Sequence, residues 1–296
     1  MLSSGKILKK YQVQPLKRLS QSFLRDDNIA RKIVLAADLQ KTDIVLEIGA
    51  GHGILTRLMA PEARQVIAVD IDPAMIAILE KETERSQDGN VRIILADILK
   101  MDISRIHMDI AGLCEELPGQ QLKVIGNIPY AISTEILFHL LSHRRAISQT
   151  VLMVQREVAD RLTGLPGTKA YGVPTVLLSM HARLVKLFDV SPQCFYPRPR
   201  VTSSVISLTF RERPRVDLLD EALFTRIVKA AFSSRRKTLW NNLRRAAWLN
   251  IEADKLKTVL ASCGLDEQIR GEALPVEIFG VLSNKLFAAS QSVRID

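Results

Sequence analysis

From Lys41 to about Arg156 the chain alternates short apolar, β-rich runs with stretches of helical periodicity. Asp43–Ile48 reads as a first strand, followed by glycine-rich residues and a helix around Ile54–Ala60. Gln65–Val69 is a second strand. Asp72-Pro73 then opens a helix through about Arg85, with proline well placed in its first turn. Val91–Ala96, Leu122–Ile125 and Thr150–Val154 are further strand candidates. Near-continuous apolar runs are what parallel strands covered on both faces require, and strand–helix alternation predicts a doubly wound, Rossmann-like α/β sheet.

The flanks differ. Asp26 or Asp27 can cap a helix that places Ile29, Ile33, Val34 and Ala37 on one face. Pro192–Pro199 is a proline-rich loop, and Ser204–Phe210 alternates as a last strand. From Asp220 the period is helical: Phe224, Ile227 and Val228, then Leu239 and Leu243, then Leu256, Val259 and Leu260. A boundary near Arg211–Val216 predicts two domains, 1–212 and a small all-helical 213–296. Residues 1–20 carry Lys6, Lys9, Lys10, Lys17 and Arg18, and read as a mobile basic arm able to touch phosphate.

A chain of 296 residues suits two domains. The formal net charge of +9 favours a polyanionic partner, because each neutralised phosphate releases counterions; a basic protein without a nucleic-acid role is the alternative. Cys114, Cys194 and Cys263 are dispersed and odd in number, giving neither a disulfide framework nor a metal pair and pointing to the reducing cytoplasm. No apolar run is long enough for a membrane span.

Glu47-Ile-Gly49-Ala-Gly51-His-Gly53 lies where a strand turns into a helix. Glycines there let a ligand approach the main chain closely. Asp70 stands 19 residues after Gly51 at the end of the next strand, where a carboxylate can accept hydrogen bonds from both ribose hydroxyls. A dinucleotide-binding loop would carry a glycine at position 54, which is Ile54; GxGxG after an acidic residue resembles the first motif of methyltransferases. Asp97, ending the third strand, suits the amino group of a bound adenine, or equally a helix N-cap.

Asn127-Ile128-Pro129-Tyr130 follows the fourth strand. The exocyclic amine of adenine is a poor nucleophile because its lone pair is delocalised into the ring. The Asn127 side-chain oxygen and a backbone carbonyl, that of Ile128, could hold its two hydrogens and favour a pyramidal nitrogen. Pro129 would fix the turn and Tyr130 would stack on the base. Alone, four such residues read as a turn; their order after the glycine loop, Asp70 and Asp97 gives them weight.

Several motifs together carry a family resemblance. Gln21-Ser22-Phe23-Leu24, the 47–56 loop, Asn127–Tyr130 with Ala131-Ile132-Ser133-Thr134, and Val154–Ala159 occur in order. Phe195-Tyr196-Pro197-Arg198-Pro199-Arg200-Val201-Thr202-Ser203 follows. The chain thereby resembles the ribosomal RNA adenine dimethyltransferases, and Ala231–Thr238 with Arg270–Glu272 resemble the bacterial small-subunit branch. The resemblance implies a class I methyltransferase domain that uses S-adenosyl-L-methionine. It also implies dimethylation of two adjacent adenosines near the 3′ end of 16S ribosomal RNA, within the 30S subunit or its precursor. Cofactor contacts are implied at Ser22, Leu24, Gly49, Asp70, Asp97 and Asn127; Glu47 and Gly51 match the motif and are cofactor-site candidates too, or residues that only shape the loop. Family members usually carry Asn where this chain has Ser22, so a backbone contact is the one that carries over there.

The remaining candidates face RNA. Phe195 could form the second face of an aromatic sandwich around an extruded base, or anchor its loop in the core. Arg198 and Arg200 flank it and suit phosphate. Arg235, Arg236, Lys237, Arg244 and Arg245 form the densest basic cluster, on or entering a helix. Trp240 and Trp248 are eight residues apart, which suits one helix face and core packing. His139 and His143 have zinc-compatible spacing without an evident third ligand, so no metal is expected. A monomer is the expected state. Three other activities compete: a large-subunit (erythromycin-resistance) RNA methylase, a DNA adenine methylase, which typically has a second Pro where this chain has Ile128, and a ribosome-assembly factor without turnover.

Overall fold

A computed structural model of the protein describes residues 4–13, 15–16, 21–86, 89–106 and 121–291. Lys17, Arg18 and Cys114 lie outside these residues. The chain forms two compact units, one of Met1–Ala159 with Val185–Phe210 and one of Asp160–Leu184 with Arg211–Asp296. The second unit thus includes Asp160–Leu184, which the sequence reading placed in the first.

Nine strands are described: β1 (Phe23–Leu24), β2 (Ile44–Ile48), β3 (Gln65–Asp70), β4 (Val91–Leu95), β5 (Leu122–Asn127), β6 (Ile147–Gln155), β7 (Ala182–Val190), β8 (Phe195–Tyr196) and β9 (Ser203–Phe210). Seven form one sheet in the order β4-β3-β2-β5-β6-β9-β7; β1 and β8 pair antiparallel apart from it. Neighbouring strands from β4 through β6 are parallel, and β9 runs antiparallel to β6. Every residue of β2 is buried, as a central strand covered on both faces must be. β4 is half exposed because it is an edge strand. β7 occupies the opposite edge, with Val185 and Leu187 facing outward, so its apolar pattern is weak and the sequence reading missed it.

The helices that frame the sheet are α1 (Ser4–Lys10), α2 (Asp27–Ala36), α3 (Thr56–Met59), α4 (Pro73–Ser86), α5 (Ser133–Ser142) and α6 (Arg156–Leu162). Asp26 caps α2 by accepting from the N–H groups of Asn28 and Ile29, and Ala30, Ile33 and Val34 enter the core. The expectation of a mobile N-terminal arm is corrected over the described part of it. Ile7, Leu8 and Val13 pack with Phe23 and with Met75 and Ile78 of α4. Lys10 Nζ and the Tyr11 hydroxyl each donate to Glu82 at 2.8 Å. The apolar residues between the lysines outweigh the charge, and the segment is docked.

The second unit contains α7 (Val173–His181), α8 (Glu221–Ala231), α9 (Leu239–Arg244), α10 (Ala253–Ser262) and α11 (Val276–Gln291). Phe224, Ile227, Val228, Leu239, Leu243, Leu256 and Leu260 are buried, as their helical spacing predicts. α9 ends at Arg244, and Trp248 lies in a separate short turn, Ala247–Leu249. Trp240 and Trp248 therefore do not share a helix, and both are half-buried rather than core. Among the described residues no helix is long and apolar enough to cross a membrane.

Candidate active site

Strand order reverses direction at β2, which pairs with β3 on one side and β5 on the other. In doubly wound sheets the crevice for ligands opens at the carboxyl ends of the strands at such a switch point. Here β2 runs into the glycine loop, β3 ends on Asp70 and β5 ends on Asn127. A cleft open to solvent lies there. Ser22, Gly49, Gly51, Asp70, Asp97, Asn127, Pro129 and Tyr130 line it, together with Gln21, Phe23, Ile71, Ile98 and Ile136. Eight of the sequence candidates thus converge on one cavity.

Gly49 adopts φ +71°, and a Cβ there would stand 3.2 Å from the carbonyl oxygen of Asn127. Glycine is therefore what lets the loop pass beside the end of β5. Gly126, one residue earlier, was not singled out from the sequence; a Cβ on it would meet the carbonyl of Ile48 at 2.4 Å. Close approach of β2 and β5 below the cleft depends on it. An apolar run interrupted by glycine just before Asn127 was the available signal.

Asp70 ties the loop together. One carboxylate oxygen accepts from the N–H of Gly51 at 2.8 Å and the other from Asp72 at 2.9 Å. Burial pushes its carboxyl above the usual aspartate range, opposed by the N–H groups of Asp72 and Gly51. Each carboxylate oxygen has a further lone pair, so the group can still receive hydroxyl donors from the cleft. Glu47 is not on the cleft. It is buried behind the loop, where the Thr56 hydroxyl donates to it, and burial pushes its carboxyl up to about 8. His52 is also buried, its Nε2 without a partner among the described residues, and burial pulls it down to about 3. Burial favours the neutral form of both, and Asp70 is the carboxylate presented beside the loop. Two carboxylates at strand ends, Asp70 and Asp97, and the apolar side chains of Ile71 and Ile98 beside the glycine loop fit the hydroxyl and amino groups and the flat base of an adenosine-containing cofactor.

Asp97 takes the capping role considered from the sequence and also reaches the cleft. It caps a short turn by accepting from the N–H of Leu99 at 3.1 Å, and it lines the cleft.

Asn127 carries the geometry most telling for chemistry. Its Nδ2 donates to the carbonyl of Ser22 at 3.0 Å, an amide orientation assigned from this bond. The side-chain oxygen is thereby turned away from Ser22 and available as an acceptor. Ser22 Oγ in turn donates to the Pro197 carbonyl at 2.8 Å. Ser22 is committed through both backbone and side chain to positioning. Pro129 starts the turn at φ −59° and ψ 128°. Tyr130 is hydrogen-bonded through its hydroxyl to Ser203, and burial raises its pKa, so it stays a neutral, anchored ring on the cleft wall.

Two candidates lie elsewhere. Leu24 is in the core, with no part on the cleft. Phe195, in register with Leu24, is 2% exposed and packs in the same apolar cluster. Its ring is not available to stack on a base in this conformation; the alternation of a strand sends Phe195 inward and Tyr196 outward, and Tyr196 is 45% exposed. Arg198 and Arg200 are exposed and carry no side-chain bond among the described residues.

The basic cluster of the second unit is divided. Arg235 donates to the carbonyls of Lys169 at 2.8 Å and Tyr171 at 2.6 Å and pairs with Glu272 at 3.4 Å, which makes it a clamp within that unit rather than a free cation. Arg244 lies over the Trp240 ring at 5.0 Å. Arg236 and Arg245 are exposed, Lys237 is half-buried, and none has a side-chain partner among the described residues. His139 Nε2 bonds the Met101 carbonyl at 3.0 Å and His143 lies 3.5 Å from Asp102, so both rings have structural partners.

Comparison with known proteins agrees with this geometry. Residues 14–267 match the family model described as ribosomal RNA adenine dimethylase. The chain is 44% identical over 280 residues to the ribosomal RNA small subunit methyltransferase A of Syntrophus aciditrophicus, covering 95% of this chain and 97% of that one. A dimethyladenosine transferase structure from Plasmodium falciparum superposes with a TM-score of 0.76 at 28% identity, covering 91% of this chain and 98% of the other. The 23S rRNA methyltransferase ErmE gives a TM-score of 0.66 at 25% identity, covering 90% and 99%.

Proposed function

Because the chain belongs to the ribosomal RNA adenine dimethylase family, we propose that it dimethylates the N6 amines of two adjacent adenosines near the 3′ end of 16S ribosomal RNA, acting on the 30S subunit or its precursor. It is an S-adenosylmethionine-dependent ribosomal RNA adenine methyltransferase. The target adenosines, the particle, action as a monomer and a cytoplasmic location are the parts we infer. Small-subunit methyltransferase names among relatives at 35–44% identity support the choice of subunit.

S-adenosylmethionine supplies an electrophilic methyl group. In the proposed complex the chain's residues bind and orient. Asp70 holds ribose hydroxyls, Asp97 takes the cofactor's adenine amine, and the main chain at Gly49 and Gly51 lies against the cofactor. The Asn127 oxygen and the Ile128 carbonyl accept the two hydrogens of the target amine, localising the nitrogen lone pair. Tyr130 covers the base. The methylated nitrogen is an acidic ammonium that releases its proton to water, so no strong base is required. Most of the catalytic effect is then orientation and electrostatics.

The observation that carries this reading is the bond from Asn127 to Ser22, which fixes the amide with its oxygen free at the end of β5. Purified protein given labelled S-adenosylmethionine is expected to methylate 30S particles lacking the modification. Labelling of naked 23S RNA or duplex DNA in preference to those particles would overturn the small-subunit assignment.

A further inference from the structure

Tyr196 is the feature of the reaction face that the chemistry above leaves unused. It follows Phe195 in β8, and strand alternation turns its ring out of the core while its neighbour fills the core. At 45% exposed, the ring offers an apolar face with a polar tip to solvent.

The backbone that carries this ring is tightly specified. Tyr196 is in register with Phe23, which lines the cleft. The next residue, Pro197, accepts from Ser22 Oγ at 2.8 Å, and Ser22 accepts from Asn127 at 3.0 Å. On the other side, Arg25 N donates to the Cys194 carbonyl at 2.9 Å and Arg25 Nε to the Gln193 carbonyl at 3.2 Å. Two hydrogen bonds therefore connect the amide at the reaction centre to the peptide next to Tyr196. Tyr196 does not itself line the cleft, but its strand partner Phe23 does, which puts it beside the cleft. Arg198 and Arg200, both exposed and unpaired among the described residues, follow on the same loop.

A base that enters the cleft must leave its stack, and the nucleotide beside it then loses a stacking neighbour. An aromatic ring on an anchored strand beside the cleft, followed by two cations, supplies a replacement face and charges for the adjoining phosphates. We propose that Tyr196 stacks on the nucleotide next to the target adenosine, making it a positioning residue for RNA substrate; this rests on the function proposed above. The ring it offers is distinct from Tyr130, whose hydroxyl is anchored inside the cleft.

The test compares Tyr196→Ala, Tyr196→Phe and the wild-type protein in steady-state methylation of 30S particles lacking the modification, with cofactor affinity measured by calorimetry. Tyr196→Ala is expected to raise KM for the particle about tenfold, in line with the loss of one stacked base, while kcat and cofactor affinity stay within about twofold of wild type. Tyr196→Phe, which keeps the ring, should restore the wild-type KM. An unchanged KM in Tyr196→Ala overturns the inference, and so does a Phe variant as impaired as the Ala one. A loss of cofactor affinity in Tyr196→Ala would also overturn it, since that marks a structural role. If the wild-type protein instead methylates 23S RNA, the same KM comparison on that RNA decides the Tyr196 role separately from the small-subunit assignment.

Discussion

Asn127 and Ser22 are joined by a 3.0 Å hydrogen bond from side-chain amide to backbone carbonyl. The bond commits one amide N–H to the protein and leaves the side-chain oxygen as an acceptor for the substrate. Asn127→Ala should therefore reduce kcat by at least about 10²–10³, the range for removing one preorganised polar group, while RNA affinity measured by filter binding stays near wild type. Near-normal turnover would contradict the amine-orienting role.

Asp70 accepts from Gly51 and Asp72 and lines the cleft. Asp70→Ala removes both loop bonds and the carboxylate. Calorimetry should show cofactor affinity reduced by about 10-fold to 100-fold, the loss of one to two charge-assisted hydrogen bonds. RNA affinity should hold, and a variant that binds cofactor normally would refute the assignment.

Glu47 gives a pH signature. Its carboxyl is raised from 4.5 to about 8 by burial, so the folded protein holds a proton that the unfolded chain has released. The stability it contributes is complete below the unfolded value of 4.5 and is lost as pH rises through about 8. Glu47→Gln stays neutral throughout. The wild-type urea midpoint should therefore fall relative to that of Glu47→Gln as pH is raised from 5 to 8.5, about the window of the shift. Parallel pH profiles would contradict a buried, protonated Glu47.

Arg235 and Arg236 are adjacent in sequence and should behave differently. Arg235 holds two carbonyls and Glu272, so Arg235→Ala should cost about 1–3 kcal/mol of stability in denaturant unfolding. Arg236 is exposed and unpaired among the described residues. Arg236→Ala should leave stability within about 0.5 kcal/mol and lower the salt slope of RNA binding by about one. Equal effects of the two substitutions on either measurement would be the contrary result.

The parts of this molecule legible in the sequence are those set by local pattern. β2, β3 and the helix after Asp72-Pro73 are periodic and capped, and the carboxyl ends of successive parallel strands necessarily gather, which is why Gly49, Asp70, Asp97 and Asn127 meet in one cleft. What was missed depends on partners distant in sequence. The lysines of the N-terminal segment look solvated until Ile7 and Leu8 find Met75 and Ile78. The charge of Arg235 looks free until the carbonyl of Tyr171 reaches it. Phe195 and Tyr196 are both aromatic, and only the pairing of β8 with β1 decides which of them faces the core.

The identity of the methylated atoms separates this activity from its competitors. Mass-spectrometric mapping of 16S ribosomal RNA, after incubation of unmodified 30S particles with the protein and S-adenosylmethionine, reads this directly. The predicted result is two adjacent N6,N6-dimethyladenosines near the 3′ end, absent with Asn127→Ala. Methylation of 23S RNA instead, or of a 16S position other than adenine N6, would contradict it.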